Sequence, residues 1–266
     1  MIRAEAEVAH VELCDVDLAF GRRVVFEGLT CRFPRGRISV IMGGSGLGKS
    51  TILRMIGGLQ PPDRGRVLVS GQDTVGLGES AMAQVRRKLG MLFQNGALLD
   101  SMTVFENVAL PLREHTRLCA DEIAHQVHDR LQAVGLPDVD DLLPGELSGG
   151  MLRRAAFARA IVMAPEILLC DEPFSGLDPP NVSRIEVLLQ HLNRALGLTL
   201  IVTSHHMATS LRMAEQLLLL QDRSVVSGAP AELAASRESA IAEFIGEDGA
   251  EFLARHLESS PQGSKP

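Results

Sequence analysis

The chain has 266 residues, 45% of them hydrophobic, which is enough for one large domain or two small ones around a sizeable core. Its 33 acidic residues outnumber 26 basic ones for a formal net charge of −7, which argues against broad electrostatic capture of nucleic acid. Cys14, Cys31, Cys119 and Cys170 form no C-x-x-C pair, so free thiols in a reducing compartment are the simplest account.

Met1 to Glu7 is polar and acidic, without the apolar centre of a secretory leader, and no apolar run approaches a membrane span. A soluble, cytoplasmic chain is therefore expected. Val11 to Phe20 alternates apolar and polar residues as a half-buried strand does, and Gly21-Arg22-Arg23 follows as a turn. Val24 to Phe33 reads as a second strand pair interrupted by Glu27-Gly28. This start suggests a small antiparallel subdomain. The chain has no Tyr or Trp, so Phe20 is the candidate for stacking on any flat ring bound beside this region; a core phenylalanine is the alternative.

Pro34-Arg35-Gly36 turns into Ile38 to Met42, a buried strand. It ends at Gly43-Gly44-Ser45-Gly46-Leu47-Gly48-Lys49-Ser50, followed by Thr51, which fits G-x-x-x-x-G-K-[ST] without a gap. Ser50 to Ile56 is helical in composition, so the pattern sits between a strand and a helix, where its chemistry requires it. The glycines let successive N–H groups turn inward around an anion, and the start of the helix adds its unpaired amides and positive dipole end. Lys49 would reach the β- and γ-phosphates of ATP, and the Ser50 hydroxyl would ligate Mg²⁺.

Strands are expected over Arg66 to Ser70, Leu89 to Phe93, Ile167 to Asp171 and Leu198 to Thr203, with Gly71-Gln72-Asp73 as a turn. Helices are expected over Ser80 to Lys88, Thr103 to Leu110, Asp121 to Val134, Ser148 to Met163, Asn181 to Leu196 and Met207 to Glu215. Leu217 to Gln221 and Ser224 to Ser227 read as a closing hairpin around Asp222-Arg223. Strands alternating with helices indicate an α/β core with a largely parallel sheet. Arg86-Arg87-Lys88 and Arg153-Arg154 read as solvated helix faces, and so does the His125/His128 pair rather than a metal site. The apolar cluster Leu98, Leu99, Met102, Val104 and Phe105 can serve as core, as a docking groove, or as both.

Two further stretches carry chemistry. Ile167 to Asp171 delivers adjacent carboxylates at a strand end: Asp171 would hold the Mg²⁺ ion, and Glu172 would polarise the attacking water as general base. Ser148 can cap a helix whose start, Gly149-Gly150, lets an anion approach exposed N–H groups. An ordinary capped helix explains that stretch alone, but beside a phosphate loop it is a candidate second phosphate site. One chain can hardly fold both around one nucleotide, so a head-to-tail pair is expected, each Ser148-Gly149-Gly150 completing the other copy's site.

Leu147 to Met151, with the phosphate loop before it and Asp171-Glu172 after it, resembles the signature of the ATP-binding cassette (ABC) ATPases. Gln94 resembles their Q-loop glutamine, which senses Mg²⁺; Ser175 to Asp178 resembles the D-loop that crosses the dimer seam; His205 resembles the histidine that contacts the γ-phosphate. The resemblance runs from about Val11 to Gly228. It implies a P-loop NTPase (RecA-like) α/β core with an antiparallel β subdomain and an inserted helical subdomain at about 95–163. The cassette domain would occupy 1–246, with a partly disordered extension at 247–266, where Phe244-Ile245-Gly246 and Phe252-Leu253 suggest a short docking segment.

Met91 to Leu99, Asn107 to Thr116, Met151 and Asp171-Glu172-Pro173-Phe174 are similar to the ATPases of Mla-type phospholipid transporters. That resemblance implies a homodimer on the cytoplasmic face of the inner membrane, gripping an integral-membrane permease. An MCE-domain lipid-binding protein and a small STAS-domain protein complete such assemblies, without nucleic acid. His206 departs from the Asp found there in many cassettes, and Phe20 from the usual Tyr; neither removes a phosphate or Mg²⁺ ligand. The rivals are a soluble cassette protein of translation or DNA repair, a nucleotide-gated scaffold, and a cassette for another substrate. The first usually needs two cassettes or a long coiled-coil insertion, and the second is disfavoured by Glu172 and His205.

Overall fold

In a computed structural model, the described residues are 9–94, 96–221, 224–236, 241–242, 244–246, 248–249 and 251–252. The chain opens with β1 (Ala9–Phe20) and β2 (Arg23–Pro34), then β3 (Ile38–Gly43), α1 (Lys49–Ile56), β4 (Arg64–Val69) and β5 (Gln72–Asp73). Next come α2 (Glu79–Arg86), β6 (Leu89–Leu92), α3 (Val104–His115), α4 (Ala120–Ala133), α5 (Gly149–Ile161) and β7 (Ile167–Asp171). It closes with α6 (Pro179–Leu196), β8 (Thr199–Thr203), α7 (Met207–Met213), β9 (Gln216–Gln221), β10 (Ser224–Gly228) and α8 (Pro230–Ala234).

Among the described residues these strands form two sheets. One is antiparallel in the order β2-β1-β4-β5; the other runs β10-β9-β3-β8-β7-β6 and is parallel except for β10. The central strands are apolar throughout because both of their faces are covered. Alternate residues divide between two cores: Val40, Met42, Val202 and Cys170 join the larger one with the helices, while Ile41, Ile201 and Leu169 join the one beneath the antiparallel sheet. Burial pushes the Cys170 thiol far up from its usual pKa, so it behaves as a small apolar side chain.

Some details correct the expectations. Val24 to Phe33 is not a strand pair but part of the single strand β2, whose pairing with β1 slips where the Gly28 N–H leaves the ladder for Asp17 Oδ1 at 2.7 Å. Gln72-Asp73 is not the turn: it pairs with β4, and the turn falls on Ser70-Gly71, both at positive φ. Helix α3 runs past Pro111 to His115, because the proline removes one N–H while buried Leu112 keeps the next turn on the core. The hairpin of β9 and β10 forms as expected; its tip, Asp222-Arg223, lies outside the described residues. Ile241 and Ile245 are buried in the larger core, with Phe244 and Phe252 packed against it; Leu253 and the polar tail lie outside the described residues.

Between β6 and β7 lies the helical block. Thr103 opens α3 with reciprocal bonds to Glu106, at 3.2 and 2.9 Å. Buried Asn107 donates to the carbonyls of Leu99, Met102 and Thr103 and accepts from the Leu99 N–H, which pins the preceding loop. Val104 is core, whereas Leu99 is exposed.

Candidate nucleotide site

Strand order assembles the site. β3, β8 and β7 lie side by side and parallel, so the phosphate loop, Thr203 and Asp171 emerge together, with Asp171 and Thr203 in direct register. Entry into α1 requires a glycine at 48, where φ is +97° and a Cβ would sit 2.5 Å from Phe26 Cζ of the antiparallel sheet. The loop is thus seated on that sheet, and Arg23 Nη2 holds its far side by donating to the Gly46 carbonyl at 2.8 Å. Leu47 packs toward the smaller core.

Lys49 Nζ donates to the carbonyls of Gly43 (2.9 Å) and Gly44 (3.2 Å) and stands 4.0 Å from Glu172 Oε1. Ser50 Oγ and Thr203 Oγ1 both donate to Asp171 Oδ1, at 2.8 and 2.7 Å. Thr203 Oγ1 also accepts the Glu172 N–H at 2.9 Å. Glu172 has φ +48°, a backbone conformation disfavoured for a side chain of its kind, and its Oε2 lies 2.7 Å from His205 Nδ1. A cleft of about 390 Å³ opens beside these groups, lined by Phe20, Arg23, Val25, Ser45, Gly46, Gly48, Lys49, Ser50, Thr51, Gln94 and Glu172. Phe20 is 50% exposed there, so it is no core residue.

The geometry suits a phosphate ester with Mg²⁺. The first amides of α1 have no intrahelical acceptor and point out of the helix start. Ser50, Asp171 and Gln94 supply hard oxygen donors on the same side as Lys49. Among the described residues no group of three or more His, Cys, Asp or Glu side chains could hold a metal by itself. A Mg²⁺ ion bound by one or two protein oxygens and completed by phosphate and water fits that donor set.

His206 stands where the resemblance led to an expected Asp, and its surroundings favour the neutral ring. Burial, then the adjacent His205, lowers its pKa from 6.5, against an upward pull from Glu172. Its ring lies 4.4 Å from that of His205 and edge-on to Phe174 at 5.9 Å, and the His206 backbone N–H donates to Ser204 Oγ.

Four of the expected residues lie elsewhere. Ser148 caps α5 by accepting the Met151 N–H at 3.3 Å, with Gly149 and Gly150 in the first turn; Asp178 caps α6 by accepting the Asn181 N–H at 3.1 Å. Gly149 borders a separate cleft of about 220 Å³ with Gly96, Arg153, Ser175 and Leu177. Within one chain, therefore, Phe20, the loop, Gln94, Asp171, Glu172 and His205 come together, while Ser148, Gly149, Gly150 and Asp178 are not among the residues lining the phosphate cleft.

Sequence reasoning missed Thr203 and Arg23. The only local signals were a hydroxyl two residues before His205 and a basic residue in an expected turn. It also misplaced Arg153: no solvated residue, it is buried and bonded to carbonyls, because its position on α5 faces two loops. The His125 and His128 side chains do pair with acids, Asp129 at 3.5 Å and Asp140 at 2.6 Å.

Residues 26–175 match the family described as ABC transporter. The chain is 43% identical over 243 residues to the intermembrane phospholipid transport system ATP-binding protein MlaF of Escherichia coli (strain K12), covering 91% of this chain and 90% of that one. It is 41% identical over 236 residues to MlaF of Haemophilus influenzae, covering 88% and 89%. A solved dimeric post-hydrolysis state of an ATP-binding cassette bound to ADP and Pi is 31% identical, with a TM-score of 0.76 over 83% of this chain and 98% of that one. With its phosphate loop and paired acids set on these strand ends, and more than half its length matched, the chain belongs to the ABC transporter family as an ATP-binding cassette.

Proposed function

We propose that this cassette is the ATP-hydrolysing subunit of a transporter that moves phospholipid between the inner and outer membranes of a bacterial envelope. The observation that carries the hydrolytic part is Glu172, held 2.7 Å from His205 and 4.0 Å from Lys49 at the mouth of the phosphate cleft. A binder that never turns over has no use for a strained carboxylate there. In this reading Glu172 takes the proton of the attacking water, and His205 fixes its direction and meets the terminal phosphate. Lys49 and the α1 amides balance the phosphate charge, and Phe20 stacks on the base. Ser50, Asp171 and Gln94 would hold Mg²⁺, which would supply Lewis-acid stabilisation of the phosphate oxygens.

The working unit is a homodimer, in which Ser148, Gly149, Gly150 and Asp178 of each copy face the other copy's nucleotide. Their absence from the phosphate cleft of their own chain and the dimeric state of the solved cassette support this. Phospholipid as cargo rests on likeness to MlaF. A groove of about 530 Å³, walled by Met91, Phe93, Leu110, Pro111 and Met163 and bordered by Glu79, Arg86, Arg87, His115 and Arg159, suits an amphipathic helix of an integral-membrane permease. The cassette, 1–246 with its helical subdomain at 95–163, would thus sit on the cytoplasmic face of the inner membrane as a peripheral subunit. Among the described residues no helix is long and apolar enough to cross a membrane. An MCE-domain lipid-binding protein and a small STAS-domain protein would complete the assembly, with 247–266 as an extension.

Glu172→Gln should lower ATP turnover by about 10²- to 10⁴-fold, the range for a lost general base, while ATP binding persists. In that background ATP should drive dimerisation in sedimentation, and adding Ser148→Arg should abolish it. Full turnover in Glu172→Gln sinks the hydrolytic assignment, and dimers that ignore Ser148→Arg sink the shared site. Reconstitution with the permease in vesicles, following labelled phospholipid, tests the cargo.

A further inference from the structure

Helix α5 carries a buried cation whose partners are backbone carbonyls. Arg153, 8% exposed, directs Nη1 to the carbonyls of Gln94 and Phe93 (the latter at 3.5 Å) and Nη2 to that of Ser175 at 3.1 Å. Two turns later Arg159 donates to the Gly96 and Ala97 carbonyls, at 2.9 and 2.8 Å. Between them the backbone lies directly on the helix: Gly96 has φ +74°, and a Cβ there would stand 3.3 Å from Ala156 Cβ. The segment that follows β6 is therefore fastened to the helix that Ser148 caps, not to the sheet it has just left.

We propose that Arg153 is a positioning residue for ATP hydrolysis, one guanidinium locking the loop that aims Gln94 into the phosphate cleft to the Ser175–Asp178 loop and to the Ser148 end of α5. This rests on the hydrolytic reading given above. The two loops leave different strands, β6 and β7, and no backbone bond between them is needed if a planar fork spans both. Arginine presents donors in fixed, divergent directions, whereas lysine offers a single point charge that satisfies one loop at a time. Burial lowers the Arg153 pKa from its usual value, yet a guanidinium in this setting keeps its proton. Displacing α5 then displaces Gln94 and Asp178 with it, so the Mg²⁺ oxygen donor and the seam-facing loop change position together.

The test uses the full chain, with Arg153→Met and Arg153→Lys compared with wild type and Glu172→Gln. Steady-state turnover, fluorescent-ATP binding, Mg²⁺ dependence and thermal midpoint are measured on each. Arg153→Met should lose at least tenfold in kcat while KM and ATP affinity stay within twofold, because Phe20, Lys49 and Ser50 are untouched. Half-maximal activity should need more Mg²⁺, since Gln94 is no longer held, and Arg153→Lys should recover part of kcat. Turnover and Mg²⁺ dependence like wild type in both variants overturn the proposal, as does a loss of kcat matched by an equal loss of ATP binding. Should Arg153→Met fail to fold, Arg153→Lys decides on the same criteria. A wild-type chain that does not hydrolyse ATP, or a Glu172→Gln chain as active as wild type, overturns the hydrolytic reading instead.

Discussion

Strands β7 and β8 carry polar networks at both extremities, and the two networks differ in kind. Where the strands begin, Thr199 Oγ1 accepts the Gly36 N–H at 2.7 Å and lies 2.6 Å from His10 Nδ1, whose Nε2 faces Glu166 at 3.2 Å. Asn193 closes the same corner by donating to the carbonyls of Gly36 and Leu198. Where the strands finish, Thr203 and Asp171 make a matching pair, but around them stand Lys49 and Glu172, charged groups lining an open cleft. Each end joins a threonine to an acid. The first pairs its acid with His10 and with Arg35 at 3.6 Å and fastens the antiparallel sheet to the parallel one; the second leaves charge facing a cleft that a ligand can enter. Complete satisfaction marks scaffold, and charge with unspent bonding capacity marks chemistry.

Substitutions at the two ends can break that contrast. After Glu172→Gln, the largest effect is expected at Lys49→Ala, which removes a charge-assisted donor from the cleft: ATP affinity, by titration with a fluorescent analogue, should fall about 10- to 100-fold. Next, Thr203→Val and Thr199→Val each strip one buried hydroxyl and should each cost about 1–3 kcal/mol in denaturant unfolding. Only Thr203→Val should also lower kcat per folded molecule, because it releases Asp171 Oδ1 and the Glu172 N–H together. Equal effects on turnover would erase the distinction between the ends. The smallest effect concerns pH. Burial, then the charge of Arg35, holds the His10 pKa below 6.5, with Glu166 pulling upward. A folded-state pKa below the unfolded one means that the stability is fully present above about pH 6.5 and is lost as pH falls through the depressed value. The thermal midpoint should therefore drop on acidification through that window, and more shallowly in His10→Gln.

What could be read from the chain follows the range of the signal. The phosphate loop, the strand into Asp171 and the cap at Ser148 are local patterns, and each stands at its expected place in the fold. Glu27-Gly28 misled because a bulge and a turn share residue chemistry, and only pairing with β1 tells them apart. Thr203 and Arg153 were illegible for a different reason. A strand threonine and a helix arginine are commonplace until distant loops converge on them, and the partners of Arg153 lie 22 or more residues away. Arg154, its neighbour, bonds instead to Gly135 and Gly150 carbonyls, so adjacent identical residues serve different joints.

The two helix caps assigned above to the other copy's nucleotide in the proposed homodimer differ in what they retain once capping is done. Ser148 spends a lone pair on the Met151 N–H, and its hydroxyl hydrogen can still swing toward an incoming oxyanion. Asp178 spends a lone pair in the same way, but an ionised carboxylate has no hydrogen to give and would repel the same visitor. Aspartate would fasten α5 about as well as serine does. Which of the two a helix start can use beside a triphosphate is thus decided by the leftover valence rather than by the cap.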